Sequence, residues 1–340
     1  MKVIVTGGAF DERGDGLVWL ADFAAERADV LVRWKPPEQL RVAAKGFAGG
    51  SLGDDGLLYV AAHAAVVRID PRCAEVTGLL HQPCMNDLHH VAVVGGHLYV
   101  ANTGLGAVDV FTVSGEFMGS HSLLPAWANS KRMHGERAPE PLTRAHLAWS
   151  GTPPTSWPES ADRGDGYFTS SREPQAFHQR KVPDHLHVNH VVSLDGRLLA
   201  TCFADGSLRD LRTFEVAASV GRPFVHDGVV HGSSLWLTSV DGTVFELDRR
   251  TLGARRTLDA CGSRHRGWCR GLAVTSEHLM VGLTESRRGG SLQQPWAQVE
   301  TSGTETSVLL LDKAGGRLLA RVEIKDRDRH TKLYSVLPTT

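Results

Sequence analysis

Four polar residues share one position relative to an apolar, strand-like segment. Apolar runs begin at 98, 198, 235 and 279, and nine positions before each run stand His89, Asn189, His226 and Arg270. Side chains two residues apart on a strand point the same way, so the same face also carries Asp87, His187, Phe224 and Trp268. One face is therefore expected to collect histidines, an aspartate, an asparagine and an arginine between two aromatic walls.

These residue types could do two kinds of chemistry. Imidazole nitrogens from different strands suit a divalent Fe, Mn, Zn or Cu ion, and we predict metal ligation by His89, His187 and His226. Asp87 would be a further ligand or would orient a histidine, while Arg270 and Asn189 would position an anionic substrate. Without metal, a neutral histidine could act as general base while Arg270 stabilises an oxyanion.

A repeat predicts how these residues come together. Helical periodicity is nearly absent, and six units share a pattern of short apolar strands and Gly- or Asp-containing turns, as in HHVAVVGGHLYVANTGLGAVDVF from His89. The spacing of roughly 40 residues is typical of four-stranded propeller blades. The sequence therefore predicts an all-β, six-bladed β-propeller whose first strands line a central channel. The tail TKLYSVLP is expected to pair with an N-terminal strand and close the ring.

The same alignment separates a second set of polar residues. One position out of phase with the channel layer lie His90, His190, Asp227 and Cys269. Because neighbouring side chains on a strand face opposite ways, we expect this set to face the adjacent blades.

One stretch interrupts the repeat. Residues 126–182 are rich in Pro, Trp, Ser, Arg and His, and loops of this length inside compact domains are usually functional or disordered. We interpret them as an inserted loop or cap within a single domain spanning residues 1–340.

The composition argues against some classes of binding partner. The formal charge is −1, which provides no general attraction to nucleic acid or to anionic membranes. No apolar run approaches the roughly 18 residues of a membrane-spanning helix, and the N-terminus lacks the features of a signal peptide. Five cysteines at irregular spacing, none in a CxxC pair, indicate free thiols and a cytoplasmic protein. The oligomeric state is left open.

Several of these motifs together resemble a family of uncharacterised bacterial proteins with propeller-like sequences. The segment WCRGLAVTSEHLMVGLTESRR is similar to the Arg-Gly-Leu and Val-Gly-Leu blade motif of that family. Its Asp-x-His, His-x-Asn and blade-opening His motifs match Asp87 and His89, His187 and Asn189, and His226. Its tail motif resembles Tyr334, Val336, Leu337 and Pro338. The resemblance implies the fold and the channel layer, and implies no particular activity.

Two functions are consistent with the sequence. The first is a small-molecule enzyme of lyase, hydrolase or oxygenase type that works through a His-ligated divalent metal in the propeller channel, with specialised metabolism as one setting for it. The alternative is a non-catalytic propeller binding module for a protein or glycan partner, in which an exposed apolar rim would replace a closed polar pocket.

Overall fold

A computed structural model describes residues 1–82, 84–123, 186–222, 224–262, 267–285 and 305–339. These residues form 24 strands and two short 3-10 turns, Glu38–Leu40 and Thr103–Leu105. No helix within these ranges has the length and apolar character needed to cross a bilayer. Residues 126–182, which we predicted to be an inserted loop or cap, lie outside the described residues.

The strands form six antiparallel sheets of four strands each, and the predicted six-bladed β-propeller is confirmed. Blade 1 contains β24 (Thr331–Pro338), β1 (Lys2–Ala9), β2 (Gly16–Asp22) and β3 (Arg27–Trp34). Blade 2 contains β4 (Phe47–Leu52), β5 (Leu58–Ala62), β6 (Ala65–Asp70) and β7 (Glu75–His81). Blade 3 contains β8 (Leu88–Val94), β9 (His97–Asn102), β10 (Ala107–Thr112) and β11 (Phe117–Ser122).

The remaining blades repeat this order from the inner to the outer strand. Blade 4 contains β12 (Val188–Leu194), β13 (Arg197–Cys202), β14 (Ser207–Asp210) and β15 (Val216–Ser219). Blade 5 contains β16 (Val225–His231), β17 (Ser234–Ser239), β18 (Thr243–Asp248) and β19 (Ala254–Asp259). Blade 6 contains β20 (Trp268–Val274), β21 (His278–Thr284), β22 (Ser307–Asp312) and β23 (Leu318–Glu323).

The hydrophobic core lies between the blades. Within the described residues each pair of neighbouring sheets encloses one buried cluster, because a blade has two apolar faces that only its neighbours can cover. Trp19 of blade 1, for example, is fully buried in the cluster that contains Met280 of blade 6. This stacking leaves the inner strands side by side around one axis.

The chain closes the ring with its two ends. β24 pairs antiparallel with β1, with Val5 opposite Val336, so the expected pairing of the TKLYSVLP tail is confirmed. The innermost strand of blade 1 therefore comes from the C-terminus. The indole Nε1 of Trp19 donates a hydrogen bond to the carbonyl of Lys325 at 2.9 Å and anchors the segment that leads into β24.

A buried ion cluster reinforces this closure. The guanidinium of Arg33, on β3, donates to Asp326 Oδ2 at 2.9 Å, and Arg329 donates to the same oxygen at 2.7 Å. Asp326 is 3% exposed, and Asp15, which is also 3% exposed, lies 3.2 Å from Arg329. The cluster thus ties blade 1 to the loop before β24.

Candidate functional site

Each inner strand contributes one residue to a ring at its first bulge. In β8, Leu88 pairs with Asn102 and His90 with Ala101, which leaves His89 as the extra residue. The same irregularity occurs at Asn189 in β12 and within Val225–Gly228 in β16. The ring position is occupied, in order around the propeller, by Ala48, His89, Asn189, His226, Arg270 and Tyr334.

The nine-residue spacing identified this ring in blades 3 to 6 and failed in blade 2. Blades 3 and 4 join their first two strands by two-residue turns, Gly95–Gly96 and Asp195–Gly196, in which both residues have positive φ. Such turns fix the hairpin register. In blade 2 the nine-residue spacing, counted back from Leu58, predicts Gly49 as the ring residue. This prediction is wrong, because blade 2 uses a five-residue turn, 53–57, and its ring residue is Ala48.

A second layer lies two residues before the ring. Its members are Gly46, Asp87, His187, Phe224, Trp268 and Lys332. Asp87, His187 and Phe224 have φ values of 51°, 51° and 77°, a left-handed conformation that costs a residue with a side chain about 1–2 kcal/mol. Strain of this kind accumulates at functional sites, where the surrounding structure maintains it.

The predicted histidines meet in the channel. The ring centroids of His89 and His187 lie 4.6 Å apart, and those of His89 and His226 lie 6.3 Å apart. Phe203 contacts His187 and Phe224 at 5.0 Å each, which continues the expected aromatic wall. The structure therefore brings together the residues that spacing selected.

The sequence pattern missed two channel residues, Tyr334 and Lys332. The Tyr334 ring centroid lies 5.9 Å from that of His89 and 6.1 Å from that of His226. Arg270 places its guanidinium carbon 4.4 Å from the Tyr334 centroid and 5.0 Å from that of Trp268. The Lys332 ammonium lies 5.5 Å from the Tyr334 centroid. Lys332 and Tyr334 are two residues apart, as Asp87 and His89 are. This spacing would have identified them as channel residues if the tail had been treated as an inner strand.

Asp227 fixes the orientation of His226. Its Oδ2 lies 2.9 Å from His226 Nδ1 and accepts a hydrogen bond from the backbone N–H of Gly271 at 2.7 Å. The carbonyl of His226 accepts a bond from Thr201 Oγ1 at 2.7 Å. Because a carboxylate at Nδ1 keeps the proton on that nitrogen, Nε2 is left as the acceptor.

The out-of-phase residues bridge blades, as expected. His90 and His190 stack with centroids 3.6 Å apart, across the junction of blades 3 and 4. His190 Nδ1 lies 3.5 Å from Asp227 Oδ1, in blade 5. Cys269 is buried in the cluster between blades 5 and 6. Asp227 nevertheless also contacts a channel residue, His226, at 2.9 Å.

Asp87 contacts neighbouring residues through both its carboxylate and its backbone carbonyl. Oδ1 pairs with the ammonium of Lys45 at 2.6 Å and with His63 Nδ1 at 3.3 Å. Its backbone carbonyl lies 2.9 Å from Nδ1 of His89. The residue predicted to orient a histidine therefore contacts two, His63 by its side chain and His89 by its main chain.

Three ring side chains carry a buried polar atom without a hydrogen-bond partner among the described residues. The atoms are His226 Nε2, Asn189 Oδ1 and Arg270 Nε. The amide nitrogen of Asn189 is satisfied, since it donates to the carbonyl of Val225 at 3.1 Å. Leaving a buried polar atom unpaired costs about 1–3 kcal/mol, so the ring is suited to a polar molecule that would pair with these atoms.

Burial and charge tune the protonation of the cluster. Burial lowers the pKa of His226 and, more strongly, that of His89, despite the opposing charges of Asp227 and Asp87. Burial opposes ionisation of the Tyr334 phenol, but the positive charges of Arg270 and its neighbours outweigh it and lower the pKa of Tyr334 to about 8. Burial thus favours the neutral form of the imidazoles of His89 and His226, beside a phenol whose pKa is lowered.

The metal prediction is not decided by this geometry. Among the described residues, no group of three or more His, Cys, Asp or Glu side chains is arranged to hold a metal ion. His89, His187 and His226 are neighbours, and metal ligation by them stays a prediction, as do the catalytic roles of Arg270, Asn189 and Asp87.

Comparisons with known proteins support the fold alone. No protein-family model matches the chain, and no curated protein matches it. A protein of unknown function from Bacteroides caccae is 9% identical, with a TM-score of 0.59 over 98% of this chain and 97% of that one. A chain in the crystal structure of a nidogen/laminin complex is 11% identical, with a TM-score of 0.56 over 99% and 97% of the two chains. The protein belongs structurally to the class of six-bladed β-propellers.

Proposed function

We propose that the protein is an enzyme that removes a proton from a small molecule in the propeller channel, with His226 as general base. The hydrogen-bonded pair Asp227–His226 carries this proposal. The carboxylate holds Nδ1 at 2.9 Å, while Nε2 is buried without a partner among the described residues. A base whose orientation is fixed by a third group is the arrangement that proton transfer requires.

The neighbouring side chains supply the complementary charge. Burial lowers the pKa of His226 and keeps its imidazole in the neutral form that accepts a proton. Arg270 and Tyr334 would stabilise negative charge that develops on the substrate, as a cation and as a hydrogen-bond donor. Proton removal from carbon beside a carbonyl starts lyase chemistry, and proton removal from water starts hydrolysis.

A divalent ion on His89, His187 and His226 is the competing role for the same side chains. His226 cannot serve as a free base while its Nε2 ligates a metal. A metal would supply Lewis-acid chemistry in its place, and a redox-active ion such as Fe or Cu would extend the reaction classes to oxygenases. The cytoplasmic location also stays a prediction.

Isotope exchange tests the proposal without a known substrate. Panels of 2-oxo acids and hydroxy acids in D2O would be followed by proton NMR for loss of C–H signal, and simple esters and lactones for hydrolysis. The proposal expects turnover of at least one compound class by the wild type, abolished by His226→Gln. His97→Gln is the matched control, because His97 is the first residue of β9, directly after the Gly95–Gly96 turn, with its Nδ1 2.9 Å from the Gly95 carbonyl. Ligand binding without any turnover would contradict the proposal and favour the non-catalytic binding module.

A further inference from the structure

Two cations in the channel lack a carboxylate partner within the described residues. They are Arg270, on β20, and Lys332, on β24, and both lie over the ring of Tyr334. The nearby carboxylates are already engaged: Asp87 pairs with Lys45, and Asp227 with His226. Lys332 directs its ammonium to the backbone carbonyl of Ala44, a neutral acceptor.

Burial makes these unpaired charges costly. Lys332 is 3% exposed, and the Nε of Arg270 is buried without a partner among the described residues. A buried ion is stable in a protein when an opposite charge compensates its lost hydration. Side chains that destabilise the empty fold are typical of binding sites, where the ligand provides the compensation.

The surroundings of Arg270 also set its orientation. Its guanidinium carbon lies over the rings of both Trp268 and Tyr334, at 5.0 and 4.4 Å from their centroids. Stacking against aromatic faces restricts the guanidinium plane, and a planar guanidinium matches the two oxygens of a carboxylate or phosphate. The Tyr334 hydroxyl can donate a further hydrogen bond to such a group.

We propose that Arg270, Lys332 and Tyr334 form a binding site for the carboxylate or phosphate group of a small molecule. The inference rests on the proposed channel site, because it names the class of substrate bound there. The Tyr334 centroid lies 6.1 Å from that of His226, so an anionic group held at Tyr334 would place the adjoining carbon atoms beside the general base.

Anion binding to the full chain tests the site directly. Titration calorimetry would measure oxalate and inorganic phosphate with the wild type, Lys332→Met and Arg270→Gln. We expect one or both anions to bind the wild type, with at least a tenfold loss of affinity in each variant. Carboxylate selectivity and phosphate selectivity are distinguished by which anion binds. Lys313→Met is the matched control, because Lys313 also donates to a carbonyl, that of Thr275, and lies 6.0 Å from an aromatic centroid outside the channel.

Thermal unfolding adds a readout that a structural role would not reproduce. Removing an uncompensated buried charge should leave the anion-free Lys332→Met variant at least as stable as the wild type, while abolishing the rise in melting temperature that the anion causes. If Lys332→Met fails to fold, Arg270→Gln carries the test by the same criteria.

Two outcomes would overturn the proposal: no binding of either anion by the wild type, or wild-type affinity in the variants. His226→Gln separates this result from the proposed catalysis. If the wild type itself shows no isotope exchange or hydrolysis while His226→Gln binds the anion with wild-type affinity, the anion site stands and the general base is rejected.

Discussion

Asp227 Oδ2 lies 2.9 Å from Nδ1 of His226, and both side chains are buried, at 4% and 3% exposed. Asp227→Asn preserves the shape of this contact but replaces a carboxylate with an amide that can favour the wrong tautomer. We expect a fall of about 10²- to 10⁴-fold in any proton-transfer rate. Isotope exchange by NMR would measure it, with near-ultraviolet circular dichroism to show that the variant is folded. An unchanged rate would remove Asp227 from the mechanism.

The metal prediction has a direct test. If His89, His187 and His226 ligate an ion, inductively coupled plasma mass spectrometry of untagged protein should find close to one transition metal per chain. The double variant His89→Ala/His226→Ala should lose it while remaining folded. Absence of metal from the native protein, even after reconstitution with Fe, Mn, Zn and Cu, would contradict the prediction and leave His226 free to act as a base.

The ion cluster at the ring closure should contribute strongly to stability. Asp326 accepts from Arg33 and Arg329 and is 3% exposed, so Asp326→Asn leaves two guanidinium groups with one carboxylate fewer. Hydrogen bonds to charged groups contribute about 1.5–3 kcal/mol, and because Arg33 is 31% exposed we expect a loss of this size rather than that of a fully buried pair, seen as a lower thermal midpoint. Asp70→Asn is the control, since Asp70 pairs with Arg72 at the surface. Equal effects of the two substitutions would show that the closure does not depend on the cluster.

Alkaline pH should stabilise the empty protein through Lys332. Burial lowers its pKa to about 8 from 10.5 in the unfolded chain, and the charges of Lys45 and Arg270 add to this against those of Tyr334 and Asp87. Between these two pH values the unfolded state binds more protons at this site than the folded state does, so stability rises with pH.

Thermal midpoints at intervals from pH 7.5 to 10 would show this rise. We expect a smaller slope in Lys332→Met and the wild-type slope in Lys313→Met. A wild-type slope in Lys332→Met would mean that the lysine does not titrate in this range.

The left-handed backbone at His187 predicts that glycine at this position gives a more stable protein than alanine does. Its φ is 51°, where alanine is disfavoured by about 1 kcal/mol relative to glycine. His187→Gly should therefore unfold at a higher temperature than His187→Ala. The same pair of substitutions at Asn189, inside β12, should show the opposite order, because glycine weakens extended strands. The same order at both positions would argue against backbone strain at His187.

The blade count, the all-β class and four ring residues were predictable because they depend on local chemistry. Alternating apolar runs and turn residues specify short strands, and two-residue turns hold His89 and Asn189 at a constant distance from the strand that follows. The number of residues between a ring residue and the next strand can be counted in the sequence. This count failed at Ala48, where a longer turn changes the offset.

Tyr334, Lys332 and the pairing of Asp227 with His226 depended on tertiary structure. Tyr334 and Lys332 enter the channel because β24 pairs with β1, at the opposite end of the chain, and no short-range pattern encodes that closure. Asp227 lies next to His226 in sequence, where alternation predicts an opposite direction, yet the bulge in β16 lets its carboxylate reach Nδ1. Local periodicity thus specified the strands and most of their inward residues, whereas the charge balance and the orientation of the base arose when the blades closed into a ring.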